Sequence, residues 1–336
     1  MQHKKFRFST SVVDYYFAGG ISILKQIVDA KQAVIITDEN VFQHHSKKFK
    51  GWNTIILKPG EAYKIQLTVD SVIGQLIEMG ADRNTTLIGV GGGVVTDLTG
   101  YIASIYMRGI SFGFVPTTLL ALVDASIGGK NGIDVGIYKN MIGTIRQPQF
   151  ILHDLVFLNT LPDLEWQAGF AEIIKHACIR NATMFKELEQ SDITLFQKKK
   201  KLLCDLVMRN AILKTKVVQE DEFEKGDRKL LNFGHTLGHA LENQYELTHG
   251  QAVAIGMHFA ATLSERLTGF KGASRVKQLI EKYGLPTEAM YQKDKVFEVL
   301  KKDKKKNADA ISFILLNKIG NAGIRQISFT DLYEAL

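Results

Sequence analysis

The chain predicts an α/β N-terminal domain with a parallel sheet, followed by a mostly α-helical C-terminal domain. Two textures carry that reading: short β-branched runs alternating with helical periodicity in the first half, then long amphipathic stretches in the second. The strand runs are Val34-Ile35-Ile36-Thr37, Thr54-Ile55-Ile56-Leu57, Thr86-Leu87-Ile88-Gly89-Val90 and Phe112-Gly113-Phe114-Val115. Each is apolar almost throughout and bounded by turn residues, as parallel strands covered on both faces are. Between the second and third, Leu67 to Met79 repeats apolar residues at helical spacing. A βαβ succession of this kind implies an open, Rossmann-like parallel sheet. After Leu161-Pro162 the amphipathic stretches Glu165 to Glu189, Phe196 to Gln219 and Gln251 to Leu267 take over. The expected division is therefore 1–160 and 161–336, with a late apolar strand at Ile311 to Leu316.

At 336 residues and 45% hydrophobic, the chain can bury a core in each of two domains. It has two cysteines, Cys178 and Cys204, in helical stretches, which excludes a disulfide framework or a Cys-based zinc site and points to a reducing compartment. The longest weakly polar stretch, Gly109 to Val123, contains Pro116 and is too short to span a bilayer. A soluble, cytoplasmic protein without membrane partners is expected. The net charge of +7 raises the question of nucleic acid. Much of it lies in Lys198 to Lys201 and in Lys301-Lys302-Asp303-Lys304-Lys305-Lys306, without interleaved aromatics to stack bases. No nucleic-acid partner is expected.

The densest chemistry lies in Leu231-Asn232-Phe233-Gly234-His235-Thr236-Leu237-Gly238-His239-Ala240-Leu241-Glu242, with His249-Gly250 beyond it and Ala171-Glu172-Ile173-Ile174-Lys175 upstream. His235 and His239 are four apart and share one face of a helix. A zinc-protease HExxH motif would need Glu at 236, where Thr stands. Catalytic zinc usually has three protein ligands and an open position, which Glu172 and two of His235, His239 and His249 can supply. The remaining histidine is then available for proton transfer.

Strand 86–90 runs into Gly91-Gly92-Gly93 and a helix is expected after it. Glycines there let a backbone approach phosphate, and a helix N-terminus offers N–H groups to it. Val94 stands where GxGxxG needs glycine, so either a pyrophosphate site or a structural turn fits. Gly128-Gly129-Lys130-Asn131 looks superficially like a P-loop, but Asp124 and Asn131 fail its pattern.

Taken together, Asn-Phe-Gly-His-Thr-Leu-Gly-His-Ala-Leu-Glu at 232–242, His-Gly-Gln-Ala-Val-Ala-Ile-Gly-Met at 249–257, Gly-Phe-Ala-Glu-Ile-Ile-Lys at 169–175 and Gly-Gly-Gly-Val-Val-Thr-Asp at 91–97 closely resemble the 3-dehydroquinate synthases, in order from about Thr37 to Lys305. The resemblance implies conversion of 3-deoxy-D-arabino-heptulosonate 7-phosphate to 3-dehydroquinate and phosphate. The route is transient oxidation by NAD, β-elimination, reduction and intramolecular aldol closure. It implies an NAD-binding first domain and a metal- and substrate-binding second domain. Zinc, or cobalt in its place, would sit on Glu172, His235 and His249, with His239 for proton transfer and Lys175 beside the metal. NAD would contact Asp38, Asn40, Glu61, Lys64, Gly91, Gly92, Gly93, Asp97, Thr117, Thr118, Asp124, Lys130, Lys139 and Thr160. The substrate carboxylate falls to Lys214 and Arg228. The phosphate falls to Lys130, Asn140, Asn232, Arg108 and the Lys304-Lys305 pair. The arginine comes from a second subunit in this family, so a homodimer is implied. Departures are the modest length, Val95-Thr96 ahead of Asp97, and Gly226-Asp227 ahead of Arg228. The alternatives are a sister sugar phosphate cyclase or an NAD- and metal-dependent polyol phosphate dehydrogenase.

Overall fold

The structure is a computed structural model, and it describes residues 1–136, 138–242, 244–302 (the Lys302 side chain excepted) and 310–336. Its contacts divide the chain into two compact units, Met1–Glu165 with Cys204–Phe223, and Trp166–Leu203 with Glu224–Leu336.

The first unit is built on seven strands: β1 (Gln2–Arg7), β2 (Val12–Phe17), β3 (Ala33–Asp38), β4 (Asn53–Leu57), β5 (Thr86–Gly91), β6 (Ser111–Pro116) and, after a separate hairpin of β7 (Lys130–Val135) and β8 (Tyr138–Ile145), β9 (Phe150–His153). Their order is β1-β2-β9-β6-β5-β3-β4, all parallel except β1 on β2. Side chains alternate across a strand, so Val34 and Ile36 of β3 join one apolar cluster while Ala33 and Ile35 join the other. Both faces of β3, β5 and β6 are covered, as their uninterrupted apolar runs anticipate. Helix Gln66–Glu78 buries Val69, Val72 and Leu76, and helix Gly93–Ile105 is buried along most of its length.

All four expected strands form, as β3 to β6. β1, β2, β9 and the β7–β8 hairpin form in addition to the expected strands. In β2, Val13, Tyr15 and Phe17 are buried while their neighbours are not, a period of two that the largely apolar run Val12-Val13-Asp14-Tyr15-Tyr16-Phe17 conceals.

In the second unit the stretch 165–189 breaks at Asn181, which caps the helix Ala182–Glu189 with its side chain. The strand at 311–316 forms as β10 (Ala310–Lys318), paired antiparallel with β11 (Asn321–Ser328). The hairpin and helices His235–Glu242, His249–Thr268 and Lys293–Lys302 share one core around Leu241, Ile255, Phe313 and Leu315. No helix among the described residues is long and apolar enough to cross a membrane.

Candidate active site

Three helices of the second unit converge on one carboxylate. Glu172 lies on helix Asp163–Arg180 and is fully buried. Its Oε1 is 3.6 Å from Nε2 of His235 and 3.5 Å from Nε2 of His249, the first residues of their helices. Candidate ligand atoms from all three lie within 4.8 Å of one another. Other contacts aim both rings. His235 Nδ1 is 3.2 Å from the Phe233 carbonyl, and His249 Nδ1 is 3.4 Å from Glu242 Oε2, so each Nε2 faces Glu172. The ammonium of Lys175, one turn on from Glu172, meets the same carboxylate and is 2% exposed.

Burial and the nearby Lys175 charge hold the pKa of His235 well below the ordinary value, in the neutral state that ligates metal. On His249 burial opposes the charge, but hydrogen bonds to Glu172 and Glu242 outweigh it and raise the pKa to about 10. His239 stands outside the three-donor group, with its ring 5.1 Å edge-on from His235 and 6.4 Å from His249.

Glycines make this convergence possible. A Cβ on Gly256 would lie 1.9 Å from the Gly234 carbonyl oxygen, one on Gly238 2.9 Å from that of Ala252, and one on Gly250 2.5 Å from Ala168 Cα. The segments carrying His235, His249 and Glu172 therefore touch backbone to backbone.

In the first unit, β5 ends at Gly91, Gly92 caps helix Gly93–Ile105, and the helix starts at Gly93 itself. A Cβ on Gly91 would meet Val95 at 2.4 Å and one on Gly92 would meet Thr118 at 3.0 Å. Thr117 donates its backbone N–H to the Gly91 carbonyl at 2.9 Å, and its buried hydroxyl has no hydrogen-bond partner among the described residues. Asp97 is held by Lys64 at 2.6 Å, and the same ammonium donates to Asn140 Oδ1 at 2.6 Å and lies 3.9 Å from Glu61. Burial opposes the Lys64 charge, yet Asp97 and Glu61 keep its pKa above the ordinary lysine value. A single π-helical turn, Ala121–Ala125, presents Asp124 to Lys214, whose ammonium donates to the Asp124 carbonyl at 2.8 Å and meets Oδ2 at 2.9 Å. Such turns often mark functional sites.

The remaining predicted residues are more scattered. Asp38 caps the short helix Glu39–His45 that carries exposed Asn40, and Thr160 bonds His45 at 2.8 Å. Lys130 opens β7 and Lys139 lies on β8. Arg108 is exposed in a turn where Met107, Arg108 and Gly109 all have positive φ. Arg228 is buried, and Asn232 donates to Glu224 at 3.1 Å. Asp227, the unusual neighbour of Arg228, pairs with Arg180 at 3.1 Å. Lys304 and Lys305 lie outside the described residues. Glu242 closes the His235 motif with no role expected of it, and the geometry makes it the partner that orients His249.

Residues 54–168 match the family described as 3-dehydroquinate synthase N-terminal and 169–306 the one described as 3-dehydroquinate synthase C-terminal. The chain is 40% identical over 316 residues to a 3-dehydroquinate synthase of Nitrosospira multiformis, covering 90% of this chain and 86% of that protein. With one of Dehalococcoides mccartyi it shares 38% over 311 residues, 89% and 87% of the two chains. A solved 2-deoxy-scyllo-inosose synthase, in complex with carbaglucose-6-phosphate, NAD+ and Co2+, superposes with a TM-score of 0.86 at 25% identity, over 99% of this chain and 98% of that one. A 2-epi-5-epi-valiolone synthase of Streptomyces hygroscopicus with NAD+ and Zn2+ shares the fold, with a TM-score of 0.88 at 24% identity over 99% and 98%. On matched domains spanning 54–306 and identities of 38–40% across most of both chains, this protein belongs to the 3-dehydroquinate synthase family.

Proposed function

We propose that the chain converts 3-deoxy-D-arabino-heptulosonate 7-phosphate to 3-dehydroquinate and phosphate, with NAD and a divalent metal, zinc or cobalt, as cofactors. The carrying observation is the grouping of Glu172, His235 and His249 within 4.8 Å beside Lys175, in a chain of this family. Three N and O donors suit a catalytic metal that keeps one position open. The glycine turn at 91–93, too tight for side chains, and the buried Thr117 hydroxyl suit a dinucleotide. When bound, NAD supplies a reversible two-electron oxidant and the metal a Lewis acid for a ring alcohol.

The chain's own groups do the rest. Lys175 brings positive charge that eases loss of the alcohol proton, and His239, beside His235, relays protons. Lys214 and Arg228 hold the substrate carboxylate; Lys130, Asn140, Asn232, Arg108 and Lys304 or Lys305 hold the phosphate as it leaves. The nucleotide rests on Asp38, Asn40, Glu61, Lys64, Asp97, Thr117, Thr118, Asp124, Lys139 and Thr160 with the three glycines. In this reading 1–160 is the NAD domain and 161–336 the metal and substrate domain, except that Cys204–Phe223, which carries Lys214, is compact with the first; the protein is a cytoplasmic homodimer in which Arg108 reaches the neighbouring subunit's phosphate.

Phosphate release from the heptulosonate phosphate tests the reading: turnover is expected, lost with a chelator and restored by zinc or cobalt, without NADH accumulating. Release from a sedoheptulose or glucose phosphate instead would make the chain a sister cyclase. One NADH per product from a polyol phosphate would make it a dehydrogenase.

A further inference from the structure

We infer that Asp134 is a positioning residue that shapes the β7–β8 bulge, so that the side-chain amide of Asn140 presents its N–H groups to the substrate phosphate. The inference rests on the phosphate role proposed above for Asn140. Ile133 pairs with Ile142 and Val135 with Tyr138. Asp134 alone on β7 therefore lies opposite Lys139, Asn140 and Met141 on β8. Bulges of this kind re-aim side chains and recur beside active sites. At its centre Asn140 adopts φ +54°, a left-handed conformation that asparagine tolerates better than most residues.

A bulged residue loses its ladder partner and leaves an amide to be satisfied. Asp134 satisfies it: the Asn140 backbone N–H donates to Asp134 Oδ1 at 2.7 Å. Asp134 is 8% exposed, and its own backbone N–H donates to the Lys64 carbonyl at 2.8 Å. The Lys64 ammonium then donates to Asn140 Oδ1 at 2.6 Å. An ammonium can only donate, so the oxygen of the Asn140 amide is turned to Lys64 and the two N–H groups of Nδ2 are turned elsewhere. The circuit runs Lys64 backbone, Asp134 backbone, Asp134 carboxylate, Asn140 backbone, Asn140 amide and Lys64 ammonium, which also grips Asp97. The bulge is thus fixed to the same lysine that organises the proposed nucleotide segment, and Asp134 is the side chain that closes the loop.

The test uses the enzyme loaded with NAD and metal, and a non-reacting analogue of the heptulosonate phosphate with its dephosphorylated counterpart. Asp134→Ala should weaken the phosphate-bearing analogue by roughly ten-fold, the worth of one charged hydrogen bond, and leave the counterpart unchanged. Asp134→Asn keeps a carbonyl oxygen for the Asn140 amide and should restore most of the affinity. Adding Asp134→Ala to Asn140→Ala should cost little beyond Asn140→Ala alone. Equal losses for both analogues, or an asparagine variant as poor as alanine, overturn the positioning role. If Asn140→Ala itself does not discriminate between the analogues, the phosphate reading of Asn140 fails and the inference falls with it. Should the alanine variant not fold, Asp134→Ser, too short to reach the amide, supplies the same comparison.

Discussion

The two units hold their candidate ligands by different means. In the second, Glu172, His235 and His249 sit on or at the start of regular helices, pressed together through glycines. In the first, Lys64, Asp97, Asn140, Asp124 and Lys214 are set by a bulge, a π-helical turn and hydrogen bonds between residues distant in sequence. The donor set on helices is spaced by backbone contacts at these glycines. The first unit's set, drawn from helices, a strand and turns far apart in sequence, is a network in which loss of one member is felt by its neighbours.

The largest effect should follow removal of a metal donor. Alanine at Glu172, His235 or His249 is expected to abolish metal-dependent turnover and bound metal by elemental analysis; three variants with full metal and activity would refute the assignment. Glu172→Ala should also lower stability most of the three, because it takes the carboxylate from the buried Lys175 ammonium, a loss of about 3 kcal/mol.

Next comes acid sensitivity in the first unit. His153 is 1% exposed, its ring tilted 4.6 Å from Phe17 and its Nε2 3.2 Å from the Leu122 carbonyl. Burial lowers its pKa to about 4 from 6.5. The folded state thus refuses a proton that the unfolded chain accepts. Stability should be full above pH 6.5 and fall as pH drops toward 4, by about 3 kcal/mol in total. Denaturant titrations at pH 7 and pH 5 check this: His153→Gln should be less stable at pH 7 but show a flatter pH dependence, and an unchanged slope would assign the acid lability elsewhere.

The smallest effect separates the units by ligand rather than by stability. Lys130→Ala should weaken a phosphate-bearing inhibitor roughly ten- to a hundred-fold relative to its dephosphorylated analogue. Lys175→Ala should slow turnover with both bound nearly alike. Matching losses for the two inhibitors in the two variants would erase the distinction in roles.

How far the sequence could be read follows the same divide. Glu172 and Lys175 three apart, His235 and His239 four apart, and a glycine turn after an apolar strand are local patterns tied to helix and strand periods. The parallel strands β3, β5 and β6 were legible because burial on both faces leaves a continuous apolar run, and the edge strand β4 because its β-branched residues are apolar even where Ile56 is exposed. β9 was not, being four residues long and placed by pairing with β2, where Asp14 meets Phe150 across the sequence. Nor was the bulge, since nothing near Asp134 tells that its carboxylate will take the Asn140 amide or that Lys64, seventy residues before it, will close the circuit. The Asp124–Lys214 pair spans ninety residues and was equally hidden. Lys64, Asn140, Asp124 and Lys214 could be proposed only from the family resemblance and Asp134 not at all, whereas Glu172 with two of His235, His239 and His249 was open to chemical reading on its own.

The glycine contacts around Gly234, Gly238, Gly250 and Gly256 have a consequence for how this enzyme can change. Where helices meet through side chains, a core can be repacked and the distances between them retuned in small steps. Here the spacing is set by peptide groups in direct contact, whose dimensions are fixed by covalent geometry. Metal centres tolerate distance errors of only about 0.2 Å. A single methyl added along this seam exceeds that tolerance at once. Selection for a new substrate therefore has no gradual path through the metal-bearing helices, and adaptive drift in specificity should accumulate in the bulge and π-helical turn of the other unit.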